Sequence, residues 1–187
     1  MRAKMTFLAV WMILVSSGWA QTPCVSGPRV GQRPGPYSFV MSLGDNRGKS
    51  HCYICETENR PAVIVFARKL SDPLGKLARQ IDLALARHQK EDLRAWITLL
   101  HEDQTALDPE VQAWAKKHSI RSVPVGVFED LDGPPSYRLH RDAEVTVLLS
   151  VKQKVVVNRA FRAGELTEAA VAELIRDLPR ITGQAQK

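Results

Sequence analysis

Cysteine is scarce in this chain: 187 residues hold three, Cys24, Cys52 and Cys55. Three cysteines do not make a disulfide scaffold, so the fold has to rest on a hydrophobic core. Aromatic residues make up only 6%. Acidic residues fall short of basic ones, 20 against 26, but the basic excess is scattered. Lys116-Lys117 and Lys152/Lys154 are short pairs, not a stripe interleaved with aromatics. Nucleic-acid binding therefore has little support, and a solvated surface explains the charge. The chain lacks a glycine-rich phosphate cradle, internal repeats and low-complexity tracts. The loop carboxylates Asp45, Asp103, Asp130 and Asp132 have no spacing suited to paired acid–base work. His88, His101, His118 and His140 fall at helix ends or in loops and read as solvated. No cofactor is expected.

Long apolar runs are also missing, apart from one near the start. Arg2 and Lys4 precede an apolar run from Thr6 to Val15, and Ser16 to Ala20 ends in small residues at Gly18 and Ala20. This is the three-part pattern of a cleavable export signal. The run is about half the ~20 residues a membrane span needs. Cleavage after Ala20 would begin the mature chain at Gln21 and leave 167 residues with the net charge reduced from +6 to +4. A lipid anchor would need a cysteine directly after the cut, and Cys24 lies too far along. The chain is thus expected to be secreted or periplasmic, with no membrane span after cleavage, and any partner would be another exported protein.

Beyond the signal, residues 21–36 are rich in Pro and Gly and read as an irregular lead-in. A domain over 37–181 and a flexible tail over 182–187 follow. Tyr37 to Leu43 suits a short edge strand, and Gly44 to Arg60 is polar and turn-rich. Pro61 to Phe66 is a continuous β-branched apolar run, the mark of a strand buried on both faces. Ser71 N-caps a helix in which Leu74, Leu77, Ile81 and Leu85 keep one face through His88. Trp96 to Leu100 is a second buried strand. Asp108-Pro109-Glu110 reads as the start of another helix, and Val123 to Phe128 as a third strand. Glu144 to Val151 and Val155 to Phe161 form a hairpin across Lys152-Gln153-Lys154. A last helix starts at Thr167 and stops at Pro179. Parallel strands from the crossovers plus an antiparallel pair predict a three-layer α/β sandwich with a mixed central sheet.

The hairpin Thr146 to Lys154, the strand Val155 to Phe161 and the closing helix from Gly164 resemble the C-terminal half of thioredoxin-like domains. Trp96 to Asp103, Ser136 to Leu139 and the opening motif Val30 to Tyr37 are similar to the redoxin branch, which includes peroxiredoxins. The resemblance covers about Val30 to Leu178. It implies a nucleophilic cysteine at the start of the first long helix, where the helix terminus stabilises a thiolate. Ser71-Asp72-Pro73-Leu74 stand there instead, and Leu74 and Gly75 occupy the peroxiredoxin register. The family's usual site is therefore degenerate, and Ser71 reads as an N-cap. The proline that the family places before the hairpin corresponds either to Val145, in a redoxin-like register, or to Pro124.

Cys52-Tyr53-Ile54-Cys55 is a CxxC displaced to a position before the first central strand. Three readings stay open. The pair is a redox-active disulfide, with His51 or Lys49 stabilising its thiolate. It is a structural bridge pinning the loop, closing a ring too small to stabilise much. Or Cys24, His51, Cys52 and Cys55 gather a zinc ion, although the chain lacks a clear second half for such a site. Glu56 stands where a haem-attachment motif needs His. The expected activity is thiol–disulfide exchange through Cys52 and Cys55, and the alternative is a non-catalytic binding module with a structural disulfide.

Overall fold

The computed structural model describes residues 22–44 and 46–183. The expected export signal over residues 1–20, Gln21, Asp45 and the last four residues lie outside them. One seven-stranded sheet organises the chain. Its strands are β1 (Phe39–Met41), β2 (Ser50–His51), β3 (Ala62–Ala67), β4 (Arg94–Leu100), β5 (Val125–Phe128), β6 (Val145–Val151) and β7 (Lys154–Phe161). They lie in the order β2-β1-β5-β4-β3-β6-β7. The crossovers make β3, β4 and β5 parallel, while β6 runs antiparallel to β3 and β7 to β6. The mixed sheet expected from the pattern is present.

Among the described residues α1 (Tyr53–Thr57), α2 (Asp72–Arg87) and α3 (Gln104–Lys117) lie between strands, and α4 (Glu168–Arg176) and α5 (Pro179–Thr182) follow the last one. The steps β3 to β4 and β4 to β5 move the same way along the sheet. Right-handed crossovers therefore put α2 and α3 on one face, where α4 and α5 join them over Val63, Val65, Ile97, Leu99 and Val147. The opposite face is covered by α1, a 3-10 turn at Pro135–Tyr137 and the lead-in segment, which pack on Ile64, Phe66, Trp96 and Leu148. β3 is buried along its whole length, as its unbroken apolar run requires. Gly126 is needed where β1 meets β5, because a Cβ there would come within 2.3 Å of the Val40 carbonyl oxygen.

Several boundaries differ from the sequence reading. The polar stretch before β3 contains β2 and α1, both too short to leave a periodic signal. α3 begins one turn early because Asp103 caps it, accepting from the Ala106 amide at 2.9 Å. Pro109 therefore lies inside the helix. Asp108 does not cap; it turns inward to Arg47 and accepts from Gln112 Nε2 at 2.7 Å. Pro179 ends α4 but also opens α5, where a first-turn proline is tolerated. His88 and His118 are not solvated, with side chains only 14% and 12% exposed. His118 packs on Trp114, lies 3.3 Å from Asp72 and fills the space beside Gly75.

The Arg47–Asp108 pair ties the loop before β2 to α3 and yields a pH prediction. The Arg47 guanidinium holds the Asp108 carboxyl below its ordinary value of 3.8. A carboxyl depressed in the fold adds stability above its unfolded pKa, and that stability is lost as pH falls through the folded value. The urea midpoint of the wild type should thus fall further than that of Arg47→Met as pH drops below about 4. Parallel pH profiles for the two proteins would refute this role.

Candidate redox site

The CxxC sits between the edge strand and the centre of the sheet. β2 pairs with β1, and the chain then turns through Cys52 into the single helical turn of α1. Cys55 N donates to Cys52 O at 3.2 Å, and Thr57 Oγ1 donates to Tyr53 O at 2.8 Å. Arg60 closes the far end, donating to the carbonyls of Glu56 and Thr57. Tyr53 anchors the turn inward, stacked on Trp96 with ring centroids 5.7 Å apart and tilted against Phe39 at 5.8 Å. Burial pushes the Tyr53 phenol up, and the Glu56 carboxylate adds to the shift.

Cys52 and Cys55 are joined in a disulfide with a Cα–Cα separation of 5.4 Å. Cys55 is exposed and Cys52 half-buried. Cys55 borders a cleft of about 660 Å³ whose other walls are Ile54, Glu58, Gln153 and the segment from Arg33 to Pro36. His51, next to the pair in sequence, is engaged elsewhere. Its Nε2 lies 3.3 Å from the Glu56 carboxylate, and its ring packs on Tyr53 at 4.3 Å. Lys49 is exposed.

The sheet register fixes which end of the molecule holds the pair. Ala62, the first residue of β3, pairs with Ser150. Lys152 N donates to Asn59 O at 3.1 Å, and Gln153 lines the cleft. Cys52 and Cys55 therefore lie at the N-terminal end of β3. At its C-terminal end, Ala67 pairs with Val145 and α2 begins shortly after. Six residues of strand separate the two ends, roughly 20 Å at ~3.3 Å per residue.

No family model and no curated protein sequence matches this chain. Solved structures do. A candidate protein disulfide isomerase from Bacteroides thetaiotaomicron superposes with a TM-score of 0.63 at 19% identity, covering 86% of this chain and 95% of that one. The yeast mitochondrial 1-Cys peroxiredoxin gives 0.59 at 9% identity, over 84% and 78% of the two chains. A secreted Mycobacterium tuberculosis disulfide oxidoreductase gives 0.53 at 9%, over 77% and 95%. The fold is thioredoxin-like. In the thioredoxin-like frame, the position expected for a reactive cysteine is the start of α2. Ser71 there is an N-cap: its Oγ accepts from the Leu74 amide at 3.3 Å, and its carbonyl accepts from Trp114 Nε1 at 3.1 Å. Asp72 beside it is held by Lys117 at 2.6 Å. Val145 opens β6 beside the C-terminal end of β3, whereas Pro124 precedes β5, two strands away. Val145, and not Pro124, thus stands where the strand antiparallel to β3 begins.

Cys24 is not near the pair. It is half-buried beside Arg162, Glu165 and Asp142, at the same end of the sheet as Val145 and Phe161. Burial raises its thiol pKa, with Arg162 opposing and Glu165 and Asp142 adding to the shift. The zinc reading is therefore corrected: the two sulfurs of the motif are bonded to each other, and Cys24 is at the wrong pole. Among the described residues, no helix is long and apolar enough to cross a membrane. Sequence reasoning missed the cleft, because its walls come from residues 33–36, 54–58 and 153, which have no common local pattern.

Proposed function

We propose that this chain carries out thiol–disulfide exchange outside the cytoplasm through Cys52 and Cys55, with another exported protein as its partner. The observation that carries this reading is the exposure of Cys55 on a cleft while Cys52 is half-buried. Exchange requires a thiolate to approach one sulfur along the S–S axis while the other leaves. The open side of this disulfide is Cys55, so Cys55 is the sulfur attacked and Cys52 the leaving thiolate. The export pattern supports an oxidising compartment, in which the disulfide is the resting state.

The test is a pair of variants. With Cys52→Ser, the exposed Cys55 thiol should trap mixed disulfides with a disulfide-bearing test protein. Cys55→Ser leaves the half-buried thiol and should trap at least about tenfold less, since access governs exchange rate. The wild-type pair should have a reduction potential above about −300 mV, and a lower value would mark a structural bridge and end the proposal.

A second reading rests on the cysteine-free α2 terminus. On that reading the domain is a non-catalytic binding or scaffold module and the disulfide is structural. It expects no exchange at any redox poise and partner binding that survives Cys52→Ala.

A further inference from the structure

The cleft beside Cys55 has a neighbour. A second cleft of about 710 Å³ is lined by the turn from Val25 to Arg29, by Gln32 and Arg33, and by Pro135 to Arg138. Arg33 borders both. Through this shared wall residue we treat the two as one trough, with the disulfide on one side of Arg33 and Arg29 and Arg138 on the other. Elsewhere Arg47, Arg79, Arg141 and Arg159 each hold a carboxylate. Arg29, Arg33 and Arg138 are exposed and have no acidic partner among the described residues. The one acid in the lining is Glu58, at the disulfide end. Gln153 lies between Lys152 and Lys154 in the hairpin turn, so this wall also carries positive charge.

The trough is built on fixed backbone. Ser26 is 2% exposed; its Oγ bonds Thr146 Oγ1 at 2.8 Å and accepts from the His140 amide at 3.0 Å. Asn158 Nδ2 donates to the carbonyls of Ser26 and Pro28, both at 2.8 Å. Gly35 packs so closely on Ser136 that a Cβ would come within 2.4 Å of its Oγ. Arg138 is held in the left-handed region at φ 49°. Val25 and Val30, 74% and 64% exposed, add apolar surface on this lead-in segment. Arginine with apolar surface on a preorganised backbone is the composition of a protein-binding site.

We propose that this trough docks an acidic polypeptide segment, its carboxylates on Arg29, Arg33 and Arg138 and its cysteine thiol delivered to Cys55. The inference rests on the exchange reading and names its substrate class. Nucleic acids and anionic lipid headgroups share the negative charge but bring no sulfur to the disulfide. In the step itself, the partner's thiolate attacks Cys55 Sγ. The Cys52–Cys55 bond breaks, and Cys52 leaves with the electron pair and takes up the proton released by the partner thiol. A second partner thiol attacks the mixed disulfide and releases Cys55 as a thiol. The partner is oxidised from dithiol to disulfide, and this chain is reduced by the same two electrons.

The experiment uses dithiol peptides of equal length whose cysteines are flanked by Asp and Glu, by Ser or by Lys, and follows reduction of the Cys52–Cys55 disulfide. The acidic peptide should react at least about tenfold faster than the lysine peptide at low salt, and the gap should close near about 0.5 M salt. In the triple variant Arg29→Glu/Arg33→Glu/Arg138→Glu the order of the peptide rates, each divided by that variant's own rate with the neutral reductant dithiothreitol, should invert. Equal rates for the three peptides would overturn the proposal, and so would tighter binding of single-stranded DNA or phosphatidylglycerol vesicles than of the acidic peptide. A cysteine-free acidic peptide, followed by fluorescence anisotropy, separates the two readings. If dithiothreitol leaves the disulfide intact, the exchange reading fails whether or not that peptide binds. If dithiothreitol reduces it but the peptide does not bind, only the docking fails.

Discussion

Trp96→Ala is expected to destabilise the fold by about 4 kcal/mol, in the middle of the range for deleting a large aromatic from a core. Trp96 has no exposed surface, and its ring joins three parts of the molecule. It stacks on Tyr53 and so supports α1. Its Nε1 donates at 2.8 Å to Tyr37 Oη, which is itself 2.8 Å from Thr98 Oγ1. Removing the indole opens a cavity and also strips a buried hydroxyl of a donor. Trp96→Phe restores most of the volume and not the donor, so about 2 kcal/mol is expected. Urea unfolding at neutral pH measures both. The reactivity of Cys52–Cys55 toward dithiothreitol should rise in Trp96→Ala, because α1 loses its inward anchor. Equal stabilities for the two variants would show that the hydrogen bond, not the volume, matters at this position.

Asp82→Ala should cost about 3 kcal/mol, a large effect for the one charged residue on the buried face of α2. The Asp82 carboxylate, 5% exposed, accepts from three successive amides, those of Arg121, Ser122 and Val123, at 3.2, 2.6 and 3.1 Å. Arg79 Nη1 neutralises it from one helical turn away at 2.9 Å. Truncation leaves the Val123 amide buried without a partner and frees the approach to β5. Asp82→Asn keeps one acceptor oxygen and should cost about half as much. Hydrogen exchange would read the local part of the effect: protection at Val123 should drop in Asp82→Ala before protection in β3 does. If the two regions lose protection together, Asp82 supports the whole fold and not the connection alone.

Elements buried in long apolar runs were legible in the sequence. β3, β4 and β6 read clearly because they are rich in apolar residues on both faces, and α2 because Ser71 and the leucine spacing bound it. α1 and β2 were not legible, since one helical turn and two strand residues carry no period. The start of α3 was misplaced because Asp108-Pro109 has the chemistry of a helix start. Its burial and the contact with Arg47, 61 positions earlier, show that Asp108 faces inward. The CxxC and the cysteine-free α2 terminus were read directly from residue types. Their placement at opposite ends of β3 was not, because it depends on strand register. The arginine trough was invisible for the same reason: residues 29, 33 and 138 meet only through tertiary structure.

The trough's walls also bear on how the chain matures. Ser26, Pro28 and Gly35 are fixed by Thr146, Asn158 and Ser136, with the hydrogen bonds from Ser26 reaching 120 and 132 positions along the chain. During synthesis, Cys52 and Cys55 emerge well before β6 and β7 exist. Closing a loop of that length carries an entropic cost that is repaid only when both partners are present. The disulfide can therefore form on a partly folded chain, whereas the arginine trough beside it assembles only once β6 and β7 are in place. On the docking proposal, an immature molecule holds an oxidised pair with no means of selecting a partner, and selectivity arrives with the final hairpin.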